Sequence, residues 1–221
     1  MDERFFTKQK KTKILETIEW DDLWWEHADD KDKKARVLLI GDSISRGYRH
    51  AVNMLFDQNI YADSLATSKS LDNASYFTLI NYVISQQPDC QVIHFNNGLH
   101  GWHLSIQEYR ECYQKFIRFF QEMYPEKKLI LALSTPVRKT DDLTAMDERN
   151  ADVLQRNEAV RAIAEVSNLP VNDFYEALID HPEYFTADGV HLKEDGYQVL
   201  ARICADSIRK ELYKESGFNG K

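Results

Sequence analysis

The sequence predicts an α/β fold, a three-layer α/β/α sandwich around a central, mostly parallel sheet. Short apolar runs typical of buried strands alternate along the chain with longer segments whose apolar residues recur at helical spacing. Strands that alternate with helices need crossover connections, which place parallel strands in one sheet and helices on both of its faces. With 221 residues, 43% of them hydrophobic, the chain can bury a core of this size.

Each predicted element rests on its apolar pattern and its end signals. The continuous apolar run 37–40 indicates a strand that is buried on both faces. The longest central helix begins at a capping box of Ser105 and Glu108 and ends before Pro125. In chain order we expect a strand at 37–41, a helix at 45–58, a strand at 59–63, a helix at 72–86, a strand at 91–96, a helix at 105–124, a strand at 128–134, a helix at 147–168, a strand at 170–173 and a helix at 195–213.

Residues 1–35 differ from the rest because they are charge-dense, with Trp20, Trp24 and Trp25 among acidic residues. We expect an N-terminal extension that packs through these indoles on a domain of residues 36–215. The net charge of −8 argues against nucleic acid or an anionic membrane as a partner. No apolar stretch is long enough for a signal peptide or a membrane span, so the sequence as written predicts a cytoplasmic protein.

The first functional signal is Gly41-Asp42-Ser43, at the end of the first predicted strand and just before a helix. This strand–turn–helix places a serine at the carboxyl edge of the sheet, where free N–H groups of a helix amino terminus can receive an oxyanion. Ser43 could instead be only a helix cap. We assign Asp42 to structure, as a cap of the same helix.

The second signal lies near the other end of the chain, at Asp188-Gly189-Val190-His191. The His191 imidazole can take the proton of Ser43, and Asp188 can hold the other ring nitrogen. Asp173 and Asp195 are the rival carboxylates. His94, His100 and His103 lack the spacing and the partners of a metal site, and we predict no metal and no cofactor.

Together, Gly41-Asp42-Ser43 and Asp188-Gly189-Val190-His191 resemble the first and last motifs of the SGNH, or GDSL-type, hydrolase family. The resemblance implies an SGNH-hydrolase (flavodoxin-like) sandwich and a serine esterase or acylhydrolase with Ser43, His191 and Asp188 as its triad. The family also has an oxyanion glycine after the second strand and an oxyanion asparagine after the third. Here Asn96 and Asn97 follow the third strand, and we favour Asn97 because it lies nearer the loop. No glycine occurs in 60–70, so we expect a backbone N–H near Ser68 to serve instead.

The predicted substrate is a small-molecule or carbohydrate ester, with a short acyl group such as acetyl. His100 and Trp102 follow Asn97 on one loop and are expected to line the pocket. Arg138 follows the fourth strand and could bind an anionic substrate group, or pair with Asp141 or Asp142. Two alternatives remain: a non-catalytic ligand-binding module on the same fold, and an acyltransferase. The oligomeric state is not predicted.

Overall fold

A computed structural model describes residues 14–29 and 34–214, and it confirms the predicted α/β sandwich. The described residues form a sheet of six strands in the order β1-β3-β2-β4-β5-β6. Strand β1 runs antiparallel to β3, and all the other pairs are parallel. The elements are β1 Asp21–Trp24, β2 Ala35–Gly41, α1 Ser43–Phe56, β3 Ile60–Thr67, α2 Tyr76–Gln86, β4 Val92–Phe95, α3 Ile106–Met123, β5 Lys128–Ala132, α4 Asn150–Ser167, β6 Val171–Asn172, a 3₁₀ turn at Pro182–Tyr184, and α5 Glu194–Tyr213.

The sheet has a hydrophobic core on each face, because successive side chains of a strand point to opposite sides. On β2, Val37 and Leu39 pack against α1 and α5, whereas Leu38 and Ile40 pack against α2 and α3. Helix α3 begins at the predicted capping box, in which Ser105 and Glu108 exchange hydrogen bonds. No helix in the described part of the chain is long and apolar enough to cross a membrane.

Strand β3 is longer than the predicted 59–63, and the reason is a set of buried polar residues. Asp63, Ser64 and Thr67 interrupt the apolar pattern, yet all three are fully buried within the strand. The Asp63 carboxylate is compensated by the Arg36 guanidinium at 3.0 Å. Polar side chains can be buried when they find such partners. The strand therefore continues to Thr67, past the polar residues at which the prediction ended it.

Strand β1 was not predicted at all, because it comes from the charge-dense extension. It adds an antiparallel edge to the sheet, with Asp21 opposite Thr67 and Trp24 opposite Ser64. This strand places the segment before it beside the loop that follows β3. Residues 1–13 and 30–33 of the extension lie outside the described residues.

His94 lies in the core, where two polar side chains contact its ring. Its ring nitrogens contact the Tyr48 hydroxyl at 3.4 Å and the Asn172 side-chain oxygen at 2.9 Å. Burial lowers the pKa of His94 to about 4, so the ring is neutral at ordinary pH. Among the described residues, no group of three or more histidine, cysteine or acidic side chains could hold a metal ion.

Candidate active site

Ser43 is the first residue of α1, directly after the tight turn that ends β2. The Asp42 side chain caps the helix by accepting the Ile44 N–H at 2.9 Å. A side chain at Gly41 would place its Cβ 2.7 Å from the Ser45 hydroxyl oxygen, so the turn needs glycine. Ser43 therefore sits half-buried at the carboxyl edge of the sheet, among the unpaired N–H groups of a helix amino terminus.

The fold brings His191 to Ser43 across 148 residues of sequence. The His191 Nε2 atom lies 2.8 Å from Ser43 Oγ, and its Nδ1 atom lies 2.6 Å from Asp188 Oδ2. An ionised carboxylate can only accept, so Nδ1 carries the ring proton and Nε2 accepts from the Ser43 hydroxyl. About half of each of the His191 and Asp188 side chains is exposed (44% and 51%), which leaves this chain of hydrogen bonds open to solvent.

Asp188 is held in its ionised form. Burial alone would raise its pKa, but the hydrogen bonds that it accepts from His191, Val190 and Thr186 outweigh burial and hold the pKa well below its usual range. Its Oδ1 atom accepts the N–H groups of Val190 and His191 at 2.9 Å and the Thr186 hydroxyl at 2.8 Å. The carboxylate is thus both charged and fixed in direction toward the imidazole.

The turn between Asp188 and His191 depends on a glycine at position 189 and on a backbone contact with the segment that follows β5. Gly189 has a φ of +70°, and a Cβ there would lie 2.1 Å from the Arg138 carbonyl oxygen. The Arg138 N–H donates to the Gly189 carbonyl at 2.8 Å. This close approach of two backbones requires glycine, and it connects the turn to the segment that follows β5.

The prediction that Arg138 contacts substrate is corrected by its burial. Its side chain is only 1% exposed. The guanidinium donates to the carbonyl oxygens of Leu143 at 2.9 Å, of Leu178 at 3.3 Å and of Ile179, and it lies over the Phe185 ring. Arg138 therefore holds loops together from inside the protein, and its backbone rather than its charge touches the site.

The two candidate oxyanion asparagines point in opposite directions along the sheet. In the strand order, β2 with Ser43 lies between β3 and β4, and β5 lies on the other side of β4. The Asn97 amide nitrogen donates to the Lys69 carbonyl at 2.9 Å, so it reaches past the end of β2 to the loop after β3. The Asn96 amide nitrogen donates to the Ala132 carbonyl of β5 at 2.7 Å. Of the two amides, that of Asn97 is therefore bonded toward β3 and that of Asn96 toward β5.

The N-terminal segment occupies the N–H group of Ser68 itself, so a backbone donor near Ser68 has to come from a neighbouring residue. The Ser68 N–H donates to the Trp20 carbonyl at 3.1 Å, and the Lys69 N–H donates to the Thr67 hydroxyl at 3.1 Å. The next residue, Ser70, is the first after β3 whose N–H has no acceptor within the described residues. Nothing in the sequence of the N-terminal extension indicated that it would bond to the Ser68 N–H.

The loop with His100 and Trp102 is braced by a buried arginine. The Arg156 guanidinium, on α4, donates to the carbonyl oxygens of Gly98 at 3.0 Å, His100 at 2.8 Å and Gly101 at 2.7 Å, and it stacks on the Trp102 ring. The His100 ring is bonded to Glu16 at 3.0 Å. The His100 and Trp102 side chains remain partly exposed, and contact of either one with substrate stays a prediction. Sequence reasoning missed Arg156, since a helix position alone gives no sign of this brace.

Comparison with known families identifies the chain. Residues 39–199 match the model of the GDSL-like lipase/acylhydrolase family, which is most of the sequence and includes both motifs. The chain belongs to this family. This acylhydrolase is therefore an ester-cleaving hydrolase, as predicted, and the family assignment disfavours a non-catalytic module. No curated protein matches the sequence significantly.

Solved structures confirm the fold of this acylhydrolase. Est24, a carbohydrate acetylesterase from Sinorhizobium meliloti, superposes with a TM-score of 0.66 at 13% identity, over 80% of this chain and all of that chain. Axe2, an acetylxylan esterase from Geobacillus stearothermophilus, gives 0.60 at 18% identity, over 84% and 95%. A lipase/acylhydrolase from Enterococcus faecalis gives 0.61 at 16% identity, over 80% and 96%.

Proposed function

We propose that this acylhydrolase is a serine esterase in which Ser43 is the nucleophile, His191 the general base and acid, and Asp188 the residue that orients His191. The observation that carries the proposal is the continuous chain of hydrogen bonds from Ser43 through His191 to Asp188, at 2.8 and 2.6 Å. These lengths suit direct proton transfer between nucleophile and base. The low pKa of Asp188 supports its proposed role beside His191, because an ionised carboxylate stabilises the imidazolium that forms during the reaction.

The reaction proceeds in two halves. Ser43 Oγ attacks the ester carbonyl carbon while its proton passes to His191 Nε2. The tetrahedral intermediate then collapses, the bond to the alcohol oxygen breaks, and His191 returns the proton to that oxygen. Water attacks the resulting acyl-enzyme with His191 again as base, and release of the carboxylic acid restores Ser43.

The oxyanion of each tetrahedral intermediate is stabilised by three groups in this proposal: the Ser43 N–H at the helix amino terminus, the Asn97 amide and the Ser70 N–H. The direction of the Asn97 side chain past the end of β2 supports its role. Hydrogen bonds in a ligand-free site often rearrange when substrate binds. The long contact of the Asn97 amide with the Tyr76 hydroxyl, at 3.5 Å, can then give way to the oxyanion while the bond to Lys69 is kept. Donors fixed in this way stabilise charge that develops only in the transition state.

The substrate class we propose is a short acyl ester, such as acetyl, on a polar or carbohydrate alcohol. The loop that follows Asn97 is polar and aromatic and carries the partly exposed His100 and Trp102 side chains, which supports a polar or carbohydrate alcohol. Two structural neighbours named as a carbohydrate acetylesterase and an acetylxylan esterase are consistent with this class.

Reaction with a fluorophosphonate probe tests the nucleophile. Intact-mass analysis of the wild type should show one adduct, because the probe captures a serine that is activated by a base. The adduct should be absent from Ser43→Ala and should form much more slowly in His191→Ala. A well-folded wild type that forms no adduct would contradict the proposed function.

Replacement of the two asparagines separates their roles. We expect Asn97→Ala to lower kcat by about 10²–10³-fold, the typical cost of one lost oxyanion donor. Asn96→Ala is the matched control, since it removes the bonds to the Ala132 carbonyl and the Ser134 hydroxyl, and its kcat should stay within about threefold of the wild type. Steady-state hydrolysis of p-nitrophenyl acetate measures both, and the reverse order of effects would assign the oxyanion to Asn96.

A further inference from the structure

The N-terminal segment is bonded to the loop that follows β3, which we call the β3 loop (residues 68–70). Trp20 exchanges two hydrogen bonds with Ser68: its carbonyl accepts the Ser68 N–H at 3.1 Å, and its N–H donates to the Ser68 hydroxyl at 3.0 Å. The Asp21 carboxylate accepts the Thr67 hydroxyl at 2.6 Å. The extension therefore fixes the direction in which the chain leaves β3.

Asp21 also neutralises a buried charge in the β3 loop. The Lys69 side chain is only 10% exposed, and its ammonium lies 2.8 and 2.7 Å from the two Asp21 carboxylate oxygens. Its other acidic neighbour, Glu19, is at 3.9 Å. A buried ammonium is costly without a close counter-charge, so the place of Lys69 depends on Asp21.

The backbone of Lys69 in turn contacts the proposed oxyanion asparagine. The Lys69 carbonyl accepts the Asn97 amide at 2.9 Å, and the next residue is Ser70, the proposed backbone donor. The Asn97 carbonyl accepts a hydrogen bond from the Tyr109 hydroxyl at 2.7 Å. A displacement of Lys69 would consequently move both the acceptor of Asn97 and the neighbouring N–H group.

We propose that Asp21 is a positioning residue for ester hydrolysis, which acts through Lys69 to hold the oxyanion donors of the β3 loop and Asn97 in place. This inference rests on the proposed function. Asp21 touches neither substrate nor nucleophile, so its contribution lies in the geometry of groups that act on the transition state. Misplacement of such groups by about 1 Å can cost up to roughly a hundredfold in rate.

We expect Asp21→Asn to lower kcat at least about tenfold while KM changes less than about twofold, because the displaced groups bind the oxyanion and not the ground-state ester. Asp21→Glu keeps the counter-charge and should restore most of kcat. Lys69→Met removes the other partner and should show the same kcat loss, so it tests the pair even if Asp21→Asn folds poorly.

Asp22→Asn is the matched control. Asp22 is the next residue of the same edge strand, but it pairs with Arg46 at 3.4 Å and with Arg49, both on α1. The Asp22→Asn substitution therefore breaks ion pairs between β1 and α1 and leaves the ion pair of the β3 loop in place. Thermal unfolding of both variants compares their stabilities, and a merely structural role for Asp21 predicts equal effects of the two substitutions on kcat.

The decisive measurement is kcat and KM for p-nitrophenyl acetate in these variants, together with fluorophosphonate labelling of the wild type. A kcat loss in Asp21→Asn and Lys69→Met, but not in Asp22→Asn, supports the inference. Equal kcat values in Asp21→Asn and Asp22→Asn, with an active wild type, would overturn this inference and leave the proposed function intact. A wild type that neither labels nor hydrolyses would overturn both.

Discussion

Ser43→Ala is expected to lower kcat for ester hydrolysis by about 10⁶-fold, and His191→Ala by a similar factor. The double variant should be no worse than either single one, because the hydroxyl is a useful nucleophile only when the imidazole takes its proton. The hydrogen bond of 2.8 Å between them makes this dependence direct. The measurement is steady-state hydrolysis of p-nitrophenyl acetate, with the uncatalysed rate subtracted.

Ser45→Ala provides the matched control for the nucleophile. Ser45 lies two residues along the same helix, is buried, and donates its hydroxyl to the Asp42 carbonyl at 2.8 Å. Its loss removes one helix hydrogen bond, worth about 1 kcal/mol, without touching the proton path. If Ser43→Ala kept more than about a tenth of the activity, or if the two single losses added in the double variant, the proposed nucleophile–base pair would be wrong.

The three residues of the proposed proton path could be singled out from the sequence because each one lies in a recognisable local motif. Gly41-Asp42-Ser43 follows an apolar run and precedes a helical pattern, and Asp188 lies only one turn before His191. Such local signals depend on a few adjacent residues. The alternating pattern then predicts parallel strands, and it places Ser43 at their carboxyl edge.

The proposed oxyanion donors were harder to predict, because their positions depend on contacts between distant parts of the chain. Ser68 looked free in sequence, but Trp20 pairs with it across 48 positions. That pairing accompanies the addition of residues 21–24, two of which are aspartates, to the sheet as β1. Arg138 and Arg156 are similar cases, since bonds to distant backbone carbonyls hold both guanidinium groups inside the protein, and only Arg138 was considered from the sequence, as a substrate-binding or surface residue.

The choice between Asn96 and Asn97 depends on where each amide points, which the sequence does not fix. Strand β4 ends at Phe95, one residue earlier than predicted. Both asparagines therefore lie beyond the end of the strand, where the regular alternation of side chains no longer sets their direction. The sequence could supply the pair of asparagines but not their directions, which the bonds to Lys69 and Ala132 distinguish.

Asp188→Asn is expected to lower kcat by about 10⁴-fold. The asparagine side chain can fill the same space, but it lacks the charge that favours the imidazolium, and its amide can reverse the ring tautomer. The hydrogen bonds to Asp188 hold its pKa well below the usual range, so the wild-type carboxylate stays ionised at neutral pH and far into the acidic range. Loss of wild-type activity on mild acidification therefore does not arise from Asp188, and the variant should be impaired at every pH at which the wild type works.

Asp195→Asn is the control that makes the Asp188 result specific. Of the two rival carboxylates, Asp195 is nearer to His191 in sequence. It lies in the first turn of α5, where its negative charge stabilises the helix. Its replacement should leave kcat within about twofold and lower stability by no more than about 1 kcal/mol. Equal kcat losses in the two variants would mean that the local charge around His191 matters more than the direct bond of 2.6 Å to Asp188. A loss in Asp188→Asn alone would assign the orienting role to that bond.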